Sequence, residues 1–173
     1  GGPHRANSWD GHHNRCQRAL DDTKSPVLQE PILVWETMVS HEAGLSHPLD
    51  HLFTPSSIAV VGASADSANS GFRFIHLLQE FRFPGRIYPV NPKLSSLLGL
   101  HVYPRIRDIP DSIDYVIFCV PASAVPQIMH ECVDKGVKMA HLFTARMAES
   151  GIKEMAELER QIVQIARDGG IRI

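Results

Sequence analysis

Two short stretches of the 173-residue chain carry residue types that can hold an anion. Residues 62–71 run from Gly62, Ala63 and Ser64 to Ser70 and Gly71, and the stretch is made almost entirely of small side chains. Such a loop lets backbone N–H groups and the N-terminus of a following helix come close to a phosphate. The same loop is also compatible with a tight connection that binds nothing, and its spacing is not Gly-x-Gly-x-x-Gly. The second stretch is Asn91-Pro92-Lys93. A nicotinamide dinucleotide site places an Asp or Glu at the equivalent point to accept from the ribose hydroxyls. A lysine there suits a phosphate on the ribose instead, although Lys93 taken alone also reads as a solvated surface residue.

The elements around these stretches follow from apolar patterning. Ile58, Ala59, Val60 and Val61 form a short continuous apolar run, as expected of a parallel strand covered on both faces. Gly62 ends that strand, and Phe72, Ile75, Leu77, Leu78 and Phe81 then recur at helical spacing. Residues 86–90 read as a second strand after the turn at Pro84-Gly85, residues 115–120 as a third and residues 137–143 as a fourth. A short helix is expected over residues 94–98. Ser123 is placed to cap a helix that tolerates Pro126 in its first turn, runs through Lys135 and stops at Gly136. Met155, Leu158, Ile162 and Ile165 define one face of a last helix ended by Gly169-Gly170, after which Ile171-Arg172-Ile173 opens another strand. Strands alternating with helices predict an α/β fold with a doubly wound parallel sheet. In such a sheet a ligand sits beyond the carboxyl ends of the strands, which singles out residues 62–71, 91–93, 120–122 and the segment from Thr144 onward.

Residues 1–50, rich in Gly, Pro and His, lack a sustained apolar period and read as an irregular extension, with residues 32–39 the one short strand or helical turn expected within it. A formal net charge of −2 provides no global field to attract nucleic acid or an anionic membrane. Three cysteines without a close pair do not make a disulfide framework, and a reducing cytoplasm fits that usage. No apolar run approaches the roughly 20 residues needed to cross a bilayer, so a soluble protein is expected. His12, His13 and Cys16, and separately His47 with His51, have metal-compatible spacings but lack a complete ligand set, and they read as a histidine-rich tail. Cys119 falls in an expected buried strand and reads as a small hydrophobe. Asp108, Asp111 and Asp114 precede the third strand at the end opposite the ligand and read as solvated turn residues.

Several segments agree, in order, with one family. Leu52-Phe53-x-Pro55, residues 58–64, the run from Arg86 to Lys93, Val120-Pro121-Ala122, Ala148-Glu149-Ser150-Gly151 and the end from Ile165 to Arg172 together resemble the CoA-binding domain of NDP-forming acyl-CoA synthetases. That family is related to the alpha subunit of succinyl-CoA synthetase. The resemblance covers about residues 50–173 and implies a Rossmann-like domain, here cut off before the rest of the enzyme. It implies that Gly62, Ala63, Ser64, Ser70 and Gly71, with Phe143, Thr144 and Ala145, surround the phosphates and pantetheine arm of coenzyme A. Asn91 and Lys93 would meet the phosphorylated adenosine end, and Val120, Pro121 and Ala122 would flank the ligand. Arg146 and Met147 depart from the glycine and bulky apolar residue usual in the family. The family joins a carboxylic acid to coenzyme A through acyl-phosphate and phosphohistidine intermediates. ATP or GTP and Mg would belong to downstream ligase domains or a partner subunit, as would the phosphohistidine, which aligns with none of the ten histidines here. No catalytic residue is expected in this chain. A stand-alone CoA-binding regulatory or carrier protein and an NADP-dependent reductase domain are the alternatives.

Overall fold

The computed structural model describes residues 50–144 and 147–173. Expectations for residues 1–49, for Ala145 and for Arg146 lie outside the described residues. A short helix α1 (Asp50–Phe53) leads into β1 (Ser57–Val61), α2 (Ser70–Glu80) and β2 (Arg86–Val90). The two-residue strands β3 (Ser96–Leu97) and β4 (Leu100–His101) follow, then a 3-10 turn at Ile106–Asp108 and β5 (Tyr115–Phe118). A second 3-10 turn (Ala122–Ala124) opens α3 (Val125–Lys135), and β6 (Met139–Leu142) and α4 (Lys153–Asp168) complete the order.

Four strands form one parallel sheet in the order β2-β1-β5-β6. Arg172 extends it past β6 by bridging Met139 in parallel, with Arg172 N–H donating to Lys138 O and Ala140 N–H to Arg172 O. β1 is central and buried at all five positions, as its unbroken apolar run requires. Pro89 is tolerated because β2 is the outer strand, where a missing N–H leaves no inner ladder incomplete. Alternation along β1 divides the core. Ala59 and Val61 face Phe118, Met129, Cys132 and Ile162 on the side of α3 and α4, whereas Ile58 and Val60 face Ile75, Leu97 and Val102 on the side of α2. No helix among the described residues is long and apolar enough to cross a membrane.

Three local expectations are corrected. Residues 94–98 do not form a helix. β3 and β4 make an antiparallel hairpin whose two turn residues, Leu98 and Gly99, have φ of 49° and 79°, the positive values that a two-residue hairpin turn demands. Ser123 does not cap α3. It lies inside the 3-10 turn that runs directly into the helix, and no side chain caps that end, while Pro126 and the left-handed Gly136 stand as expected. Of the aspartates before β5, Asp111 and Asp114 are fasteners rather than solvated turn residues, whereas Asp108 is an exposed turn residue as expected. Asp114 accepts from Ser56 N–H (2.8 Å) and Ser56 Oγ (2.5 Å), Asp111 accepts from the Tyr88 hydroxyl (2.6 Å) and pairs with Arg86 (3.1 Å), and Asp108 pairs with Arg105 (3.2 Å). The contacts of Asp111 and Asp114 tie together the amino ends of β1, β2 and β5.

Candidate functional site

The chain leaves β1 for β2 on one side and reaches β5 on the other, so the strand order reverses at the carboxyl ends of β1 and β5. Open α/β sheets ordinarily hold a ligand at such a switch point, beyond the carboxyl ends of the strands. Residues 62–71 join the end of β1 to α2 there. Gly62 has φ of +88°, and its N–H and that of Ala63 both donate to Val90 O, at 3.0 and 3.2 Å. A Cβ on Gly62 would lie 2.2 Å from Cys119 O, and one on Gly71 would lie 2.1 Å from Gly62 O. The two glycines therefore press the first turn of α2 onto the end of β1 and the end of β1 onto the end of β5. No larger residue permits that approach. The loop is ordered by Ser64 Oγ accepting from Asp66 N–H (3.1 Å), Asp66 accepting from Ala68 N–H (2.9 Å) and Asn69 accepting from Gly71 N–H (2.8 Å) as the cap of α2.

Asn91 stands at the end of β2. Its Nδ2 donates to Ala63 O (2.5 Å) and its Oδ1 accepts from Lys93 N–H (2.7 Å), while the Lys93 side chain is exposed. Past β5 and β6, Cys119 N–H donates to Val61 O (2.8 Å) and Phe143 N–H to Phe118 O (3.0 Å), which continues the ladders past the strands. Thr144 Oγ1 donates to Val120 O (3.0 Å) and so joins the segment after β6 to the one after β5. Pro121 is exposed, and Phe143 is half-exposed with its ring edge-on to Phe74 at 5.2 Å. Burial pushes the Cys119 thiol up to about 11, and the residue packs among the apolar side chains on the α2 side, as a small hydrophobe does.

The described residues singled out from sequence thus fall on four neighbouring loops at one end of the sheet. Gly62, Ala63, Gly71, Asn91 and Thr144 are engaged in building that end. Ser64, Ser70, Lys93, Val120, Pro121, Ala122 and Phe143 complete its rim. Two contributors went unread in the sequence, the Asn69 cap and Phe74. Asn69 had a signal, since an Asn just ahead of the apolar period is a helix-start residue. Among the described residues, no group of three or more His, Cys, Asp or Glu side chains gathers as a metal ion requires.

A four-stranded parallel sheet flanked by helices, with a glycine-tightened loop at its switch point, defines a domain of the doubly wound α/β class. Residues 56–173 match the model of a CoA binding domain, and the chain belongs to that family. It is 46% identical over 125 residues to the ADP-forming acetate–CoA ligase II of Archaeoglobus fulgidus, covering 72% of this chain and 18% of that protein. It is 39% identical over 129 residues to the alpha subunit of ADP-forming acetate–CoA ligase I of Pyrococcus furiosus, covering 72% of this chain and 28% of that one. Among solved structures, the dinucleotide forming acetyl-coenzyme A synthetase 1 of Ca. Korarchaeum cryptofilum, in complex with phosphate and ADP, superimposes with a TM-score of 0.67 at 38% identity, over 71% of this chain and 26% of that one. The chain spans less than a third of the length of these relatives.

Proposed function

We propose that residues 51–173 bind coenzyme A at the switch point beyond the ends of β1 and β5, as the N-terminal domain of an NDP-forming acid–CoA ligase in the cytoplasm. The observation that carries this is the pairing of the Gly62–Gly71 backbone approach with a lysine, rather than a carboxylate, after β2. The loop amides and the start of α2 suit the diphosphate, and the Lys93 ammonium suits the ribose phosphate. Phe143, Val120, Pro121 and Ala122 offer an apolar border for the pantetheine arm. The ligase names of the relatives support this reading over a stand-alone carrier or a reductase.

In this proposal the ligase activity needs further domains or a partner subunit, which would bring ATP or GTP with Mg and the phosphorylated histidine. A shallow groove on the α2 side of β5 and β6 supports such partners. It is lined by Leu52, Tyr115, His141 and Ile173, with Phe143 beside His141. Parallel sheets are ordinarily covered on both faces, and among the described residues the cover here is incomplete. Calorimetry of residues 1–173 with coenzyme A, NAD and NADP tests the ligand. Binding of coenzyme A alone is expected, and tight NAD or NADP binding without coenzyme A binding would overturn the proposal.

A further inference from the structure

Asn91 sits between the two parts of the proposed coenzyme A site, and neither end of its amide is directed to solvent alone. Nδ2 donates to Ala63 O across the gap between β1 and β2, and Oδ1 accepts from Lys93 N–H two residues on. Its backbone N–H donates to Tyr103 O at 2.9 Å, so the residue is also held from the outer side of β2. The second side-chain contact is an Asx turn, which fixes the direction in which the chain leaves the strand. The first anchors the start of the small-residue loop, whose Ala63 N–H is held in turn by Val90 O. An amide that bridges two groups in this way supplies one donor and one acceptor in fixed geometry, and no apolar side chain of similar size does both.

We infer that Asn91 is a positioning residue that holds both the phosphate loop and the turn bearing Lys93, rather than a group that touches the ligand. The inference rests on the coenzyme A reading. Its consequence is that the preference for a 3′-phosphorylated ligand depends on Asn91 although the phosphate is met by Lys93.

The test measures Kd for coenzyme A and dephospho-coenzyme A with the full 173-residue chain and its N91A, N91S, K93A and N91A/K93A variants. Serine keeps a short acceptor for the Lys93 N–H but falls short of Ala63 O, so it separates the two contacts. N91S is expected to weaken both ligands by about three- to tenfold and to keep the ratio between them. N91A is expected to weaken both and also to reduce the ratio toward that of K93A, so the double variant discriminates no worse than K93A alone. Thermal melting confirms that each variant is folded, and N91S carries the test if N91A is not. Full additivity of the N91A and K93A effects on the ratio would overturn the inference, as would wild-type affinities in both Asn91 variants. Failure of the wild-type chain to bind either ligand would instead overturn the coenzyme A reading itself.

Discussion

Lys93 and Gly71 act on the proposed site by different physics, and substitution separates them. Lys93 is exposed and its charge faces solvent beside the end of β2, so removing it leaves the packing untouched. Lys93→Ala is expected to weaken coenzyme A by about 1.5–3 kcal/mol, the usual range for a charge-assisted contact, and to change dephospho-coenzyme A hardly at all. Equal losses in calorimetry would show that Lys93 does not read the 3′-phosphate. Gly71 carries no group that could contact a ligand through a side chain, yet its replacement should be the more damaging one. A Cβ there meets the Gly62 backbone at 2.1 Å, and backbone cannot move aside as a side chain can. Gly71→Ala is expected to lose about 1–3 kcal/mol of stability together with coenzyme A affinity. Gly99→Ala is the control. Its φ of +79° imposes strain of about 1 kcal/mol, but its surroundings are open, so chemical denaturation should detect the loss and ligand titration should not.

Elements with a long or unbroken apolar pattern were legible in the sequence. β1, α2, β2 and α4 lie within a residue or two of where the pattern placed them, because burial on one face or both decides their residue types. The β3–β4 hairpin was not legible, since Leu94, Leu97 and Leu98 also fit a helical turn and two-residue strands are too short for alternation to show. The start of α3 was misread for another reason: Ser123 is a good cap by type, but the chain enters the helix already turning through Ala122–Ala124. The fasteners at the amino ends of the strands were missed because long-range partners such as Tyr88 and Asp111 leave no local signal. That pair makes a prediction of its own. Burial, with the hydrogen bond to Asp111, pushes the Tyr88 phenol from 10.0 up to about 12. The fold favours the protonated phenol, so its contribution to stability is complete below pH 10.0 and disappears as pH rises through about 12. Thermal melting of the wild type and Tyr88→Phe across that window should show the wild-type advantage shrinking with pH. An advantage constant through pH 12 would contradict the pairing.

At the scale of the molecule, the sheet and its switch point explain why residues distant in sequence share one rim, and they also limit what the chain can do. Asn91, Val120 and Thr144 lie on different loops, yet parallel strands deliver them to the same end. The positions of these loops were legible because that end follows from the strand order. The internal hydrogen bonds that turn Asn91 and Thr144 into fixtures were not, since they depend on which loops become neighbours. Holding one reactant does not supply the proximity that comes from placing two together. Residues 1–173 are therefore expected to bind coenzyme A without turnover, leaving the protein unphosphorylated after incubation with labelled nucleotide, an acid and coenzyme A. Phosphate on His76, His130 or His141 would contradict the assignment of that chemistry to other domains.

The most direct test of the coenzyme A site is an amide-resolved NMR titration of the 173-residue chain with coenzyme A. The shifts should concentrate at residues 62–71, 91–93, 119–122 and 143–144, around the carboxyl ends of the four parallel strands, and NAD at the same concentration should leave them in place. Shifts confined to the opposite end of the sheet, or no response to coenzyme A anywhere in the chain, would contradict the account.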